Sequence, residues 1–343
     1  MRVTDPLARL PARRPGSVRR TSSLAIEPAG GRPGGRVGGW DEGVVVEAVA
    51  QDSVAGPGDG PVAILGTASV TAALDAGSRL TALRGDVPAG VAGALAGLAP
   101  ATGFRKELAR LAGAGLDPHS LLAALLDDLP TVRLISGYAR LIEMPSPLTS
   151  GRTAAPVLNI CRGWAADGTA SRLAASGQSV ITGTPPAPAF GELLAGAAGS
   201  MSEPDLRPRS MRRRRILDVV PAGPDVEVFQ YFRDSHVDAG RGEGSLHEYV
   251  MTARLSAGDL VVRAISVEPR ALPFPECPLA APNAGLLVGL PIEDIESAVR
   301  STLGGTMGCT HLNDVLRFLR FAGSLAAAAP QEAGGRTEKG TSR

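Results

Sequence analysis

Cys309 and His311 stand two residues apart in GCTHLNDVL (308–316), at the head of a run whose apolar residues recur at helical spacing. A thiol and an imidazole at a helix start can bind a soft metal, or act as nucleophile and base. The free N–H groups and dipole of a helix N-terminus favour the thiolate form. The same residues also suit plain packing, because a free Cys often behaves as a small buried hydrophobe. Partners for them lie earlier in the chain: His247 and Tyr249 in SLHEYV, Cys277 in FPECPLAAPN, and Asp234 with His236 in FRDSH. Zinc and iron accept thiolate and imidazole, so His247, Cys277, Cys309 and His311 are the candidate metal ligands. His311, Tyr249, His236 and Asp234 are the candidate acid–base groups, with Asp234 expected to orient Arg233 or His236. A strand-end turn held by local hydrogen bonds is the competing account of FRDSH. No two cysteines have compact CxxC spacing.

The elements that must position these residues repeat along the chain. RRPGSVRRTSSLAI, from Arg13, resembles RPRSMRRRRILDVV, from Arg207, with Ser17 opposite Ser210 and Arg20 opposite Arg213. Farther on, Asp52-Ser53 corresponds to Asp234-Ser235, Thr71 to Thr252 and Leu74 to Leu255, in the same order. Alternating and β-branched runs predict strands near 18–26, 43–50, 62–75 and 79–84, and again near 211–220, 225–232, 246–256 and 259–267. Helices are expected in FRKELARLAG, in DPHSLLAALLDDL with Asp117 as N-cap, in PIEDIESAVRSTLGG, and in the opening segment with Thr310 as cap. The expected fold class is α+β: two tandem repeats, each an antiparallel four-stranded sheet followed by two helices. The divisions are a degenerate N-terminal repeat (1–145), a connecting segment (146–205), a C-terminal repeat carrying the site (206–328) and a disordered tail (329–343). Within the connecting segment, VLNICRGWAADG (157–168) is too apolar for a linker and is expected to add a strand or cover an edge, with Cys161 packing beside Trp164. Four consecutive arginines, Arg212 to Arg215, would point alternately to both sheet faces, which predicts an exposed edge strand blunted by charge.

Composition narrows the classes. A formal net charge of +1 over 343 residues argues against a general nucleic-acid binder. Three cysteines form no disulfide framework and suit a reducing cytoplasm. The early arginines are followed by no apolar stretch of signal-peptide type, and no apolar run is long enough for a bilayer. A small-molecule ligand is the expected partner, with neither nucleic acid nor membrane, and the oligomeric state is left open.

SMRRRRILDV, HEYVMTARL, LPFPECPLAAPNAGLLVG and GTMGCTHLNDVLRFL together resemble the bacterial family known as domain of unknown function 2889, and the resemblance extends over most of the chain. That family implies no activity. More distantly, the second half is similar to iron–sulfur scaffold proteins of the NifU/SufE-like type. In that resemblance the three ligand places fall on His247, on Cys277, and on Cys309 with His311. A His stands where the scaffolds carry Cys, and Tyr249 where they carry Asp.

Three functions follow as expectations. The first is a small-molecule enzyme of lyase, hydrolase or isomerase type, acting on a hydrophobic or aromatic substrate in a cleft near Tyr249, Phe274 and Leu312. The second is a zinc- or iron-binding accessory protein. The third is a domain that only binds a ligand or partner.

Overall fold

The computed structural model describes residues 8–30, 39–143, 158–193 and 201–330, apart from 59, 102, 239 and 241. Residues 146–157 of the connecting segment and the tail beyond Pro330 therefore lie outside the described residues.

Eight strands form one antiparallel sheet in the order β4-β3-β2-β1-β5-β6-β7-β8. They are β1 (Val18–Pro28), β2 (Gly43–Ala55), β3 (Val62–Asp75), β4 (Leu80–Gly85), β5 (Met211–Ala222), β6 (Asp225–Asp238), β7 (Gly242–Ser256) and β8 (Val262–Ala271). Each expected strand is present. Each half of the chain runs outward from the centre, so that β1 and β5 meet antiparallel with Ser22 opposite Arg215.

Irregularities in the sheet occur at matching places. One bulge leaves Leu65 of β3 unpaired opposite the Asp52–Ser53 step of β2, and another leaves Leu246 of β7 unpaired opposite the Asp234–Ser235 step of β6. Register also shifts between Ala73 and Leu74, and between Arg254 and Leu255. Arg20 grips Asp52 through Nε (2.9 Å) and Nη2 (2.8 Å), and Arg213 grips Asp234 through the same two atoms at 2.8 Å each. Both are fork-to-fork pairs between directly opposed residues.

More helices follow the strands than the two per half expected. After β4 come α1 (Ala89–Leu95), α2 (Phe104–Arg110), α3 (Leu121–Asp128) and α4 (Val132–Glu143). The connecting segment holds α5 (Thr169–Ala175) and α6 (Phe190–Leu193). After β8 come a 3-10 stretch (Cys277–Leu287), then α7 (Ile295–Thr302), α8 (Thr310–Phe318) and α9 (Ala322–Ala327). Apolar faces drive this packing: Phe104, Leu108 and Leu111 are buried, as are Leu125, Leu126 and Leu129 of α3 and its extension. In α8 and its extension, Leu312, Val315, Leu316 and Leu319 are buried.

Two caps differ from expectation. Ser120, not Asp117, caps α3, its hydroxyl accepting the Ala123 amide at 3.1 Å. Cys309, not Thr310, is the N-cap of α8.

The arginine run departs most from expectation. β5 lies at the centre of the sheet, and Arg212, Arg213, Arg214 and Arg215 are all buried. The alternation holds, but both faces supply acids. Arg213 and Arg215 face the helices and bind Asp128, while Arg214 on the other face binds Glu203 (2.8 Å) and Glu243 (2.5 Å). Buried charges persist only when paired in this way, so an edge is unnecessary.

The last helices of the two halves cross the seam. α4 packs on β5 and β6, and α9 packs on β1 and β5. The crossing of α4 sets the wall of the candidate site.

Candidate active site

At the site, chain geometry comes before chemistry. Asn313 N donates to the Cys309 carbonyl at 2.8 Å, starting α8, and so Cys309 and His311 fall in its first turn. Gly308 makes this approach possible: a Cβ there would lie 2.0 Å from the Leu303 carbonyl oxygen. The Gly308 carbonyl accepts the Arg162 amide at 2.8 Å, which seats the 3-10 turn Arg162–Trp164 against the start of α8. That turn lies in residues 158–168 of VLNICRGWAADG, which hold no strand. Gly163 must be bare, because a Cβ would sit 2.6 Å from Cys277 Sγ and 3.9 Å from Cys161 Sγ. The three thiols are free and buried; Trp164 N donates to the Cys161 carbonyl at 3.1 Å, and the half-buried Trp164 ring meets Phe274 edge-on at 6.3 Å.

Together these elements enclose a pocket of about 300 Å3 lined by Cys161, Cys277, Cys309, His247, His311 and Asp234. Its outer wall is α4, through Leu134, Tyr138 and Leu141, with Trp164 and Ile160 from the connecting segment. Leu134 and Ile160 are exposed, so the pocket opens to the surface between them. Phe274 lines it as expected, but Leu312 does not: it is buried in the core under α8. Sequence reasoning missed the α4 wall because it assigned the first half a structural role alone. Only a helix crossing from one half to the other brings that wall here.

Tyr249 is fully buried, and its hydroxyl donates to Cys309 Sγ at 3.3 Å. Its strand neighbour Glu248 points to the opposite face, where Ser245 donates to it at 3.0 Å. His247 and His311 stack ring on ring, with centroids 3.5 Å apart and planes within 12°. His311 Nε2 lies 3.5 Å from Asp234 Oδ2. Asp234 therefore orients neither Arg233 nor His236. It is held by Arg213, while Arg233 reaches the other face and donates to the Pro188 carbonyl at 2.8 Å. His236 also stands apart, edge-on to Tyr138 at 5.5 Å, in a separate pocket of about 160 Å3.

Burial sets the charge states. The Cys309 thiol is pushed up to about 11, first by burial and then by Cys161. Such a rise corresponds to roughly 3 kcal/mol, against about 0.3–1 kcal/mol offered by a helix N-terminus. Burial thus outweighs the helix N-terminus and favours the thiol. Cys277 is raised in the same way. Burial lowers His311 to about 3, helped by Arg213. His247 is held well below its ordinary value by burial and by His311. The chemically able groups of the pocket floor are thus neutral at pH 7. Because Asp234 faces Nε2 of His311, the proton belongs on that nitrogen, which leaves the Nδ1 lone pair as the basic atom.

His247 and His311 cannot share one metal ion. An imidazole ligates in its own ring plane, and two nearly parallel planes 3.5 Å apart share no point for an ion. No group of three or more His, Cys, Asp or Glu among the described residues is arranged to hold one. Among those residues, too, no helix is long and apolar enough to cross a membrane.

No curated protein and no solved structure is detectably similar to the chain. Residues 211–322, from the start of β5 into α9, match the family described as a protein of unknown function, DUF2889.

Proposed function

We propose that the protein is a small-molecule enzyme of the lyase, hydrolase or isomerase type, working on a neutral hydrophobic or aromatic substrate. The observation that carries this reading is the convergence of His311, backed by Asp234, and Cys309, backed by Tyr249, on one aromatic-walled pocket of about 300 Å3. The size suits a small ring compound, and apolar walls with few convergent polar groups are what such sites require. His311 Nδ1 takes a proton from the substrate or from water. Tyr249 donates to Cys309, whose S–H donates onward to an oxygen on which charge develops. Asp234 steadies the imidazolium while it lasts, and Arg213 holds Asp234 in place through two hydrogen bonds.

The test is turnover of a panel of small aromatic esters, hydroxy acids and ketones, with His311→Asn and Tyr249→Phe beside the parent. A loss of about 100-fold or more in kcat for His311→Asn, with binding retained, supports the reading. Binding of no panel member, or turnover unchanged in both variants, sinks it. Binding without turnover in the parent favours the pure ligand-binding function, which the neutrality of the floor also suits.

The reading extends to the architecture. The paired bulges and the paired Arg–Asp forks support descent of the two halves from one duplicated unit. Three free thiols support residence in a reducing compartment such as the cytoplasm.

A further inference from the structure

A second concavity, of about 410 Å3, lies where the helices of the two halves face each other. α2 and α3 form one side, and α7 with the turn Leu319–Phe321 forms the other. Unlike the neutral pocket beside α8, its rim is charged. Arg105, Lys106, Arg300 and Arg320 line it, against only two acids, Asp127 and Glu296.

Those acids are already engaged. Arg105 Nε bonds Asp127 at 2.8 Å, and Arg320 stands 3.5 Å from Asp127 and 3.4 Å from Glu296. Lys106 and Arg300 are exposed and make no ion pair with the described residues. Arg320 also keeps a buried Nε without a hydrogen-bond partner. The floor between them is carbon, built from Leu108, Leu116 and Ala123. Two unneutralised cations above an apolar floor suit a small molecule with an apolar body and a dianionic head. Lys and Arg are the side chains that bind phosphate best.

We propose that this cleft binds a small phosphate-bearing molecule, with Lys106 and Arg300 clasping the phosphate and the organic part lying on Leu108 and Leu116. The site is independent of the pocket beside α8, so either can fail without the other.

The experiment is calorimetric titration of the full chain at low salt with phenyl phosphate, inorganic phosphate, benzoate and phenol. The parent is compared with Lys106→Gln/Arg300→Gln, whose exposed, unpaired side chains leave the melting temperature unchanged. Expected are binding of phenyl phosphate, none of phenol, and a loss of about ten-fold or more in affinity in the double variant. Inorganic phosphate binding as tightly as phenyl phosphate would assign the free ion as the ligand. The proposal is overturned if neither phosphate binds, if benzoate matches phenyl phosphate, or if the double variant binds as the parent does.

Discussion

Arg20–Asp52 and Arg213–Asp234 are the same construction with different surroundings. Both join opposed residues on neighbouring strands beside a bulge. Around Arg20 the remaining donors end on main chain, at the carbonyls of His119 (2.9 Å) and Ser120 (3.4 Å). Around Arg213 they end on side chains: Asp128 at 3.1 Å, Thr131 at 3.0 Å and Asp314 at 2.9 Å. The Asp234 Oδ2 that Arg213 Nη2 holds also faces His311, for which the first fork has no counterpart among the described residues. Helix starts show the same contrast. α3 is capped by a hydroxyl, whereas α8 begins on a thiol that makes no capping hydrogen bond. The fork itself is common to both halves; the residues gathered beyond it distinguish the candidate site.

The largest expected effect tests the forks directly. Arg213→Met leaves Asp128, Asp234 and Asp314 without a shared partner, and should cost about 3–5 kcal/mol in urea unfolding. Arg20→Met strands Asp52 alone, whose side chain is more open to water, and should cost about half as much. Equal costs would mean that the two forks differ in neighbours but not in weight.

Acid unfolding comes next. The folded pKa of His311 and His247 is lowered, so the unfolded chain binds more protons below its ordinary histidine value. Stability from these groups is whole above about pH 6.5 and declines as pH falls toward about 3, by up to roughly 1.4 kcal/mol per pH unit for each histidine. His247→Asn/His311→Asn should flatten that slope. A slope that survives the double variant would place the acid sensitivity elsewhere.

Smaller effects belong to the two helix starts. Ser120→Ala should cost about 1 kcal/mol, the usual loss when a capping hydroxyl is removed. Alkylation of Cys309 by iodoacetamide should rise with pH toward about 11, slower at neutrality than a free thiol. Fast labelling at pH 7 would show an activated thiolate and reverse the neutral reading of the floor.

What the sequence disclosed follows from the range of each interaction. Strands were legible because alternation is written within a few residues, and so were the buried faces of α3 and α8. Cys309 and His311 were legible as a pair because one helical turn holds both. Arg212 to Arg215 were misread because two of the acids that neutralise the helix-facing pair, Asp128 and Asp314, lie 85 or more residues away. Tyr138 and Leu134 were missed for the same reason: the crossing of α4 is a property of topology and leaves no local mark.

The seam between β1 and β5 makes the halves inseparable in practice. Residues 206–328 excised from the rest would present β5 as a bare edge, its backbone donors unpaired by β1. Arg213 and Arg215 would meet water where Asp128 now stands, and the pocket would lose its outer wall. A fragment spanning only the matched family region would thus lack both the partner strand of β5 and the α4 wall of the pocket.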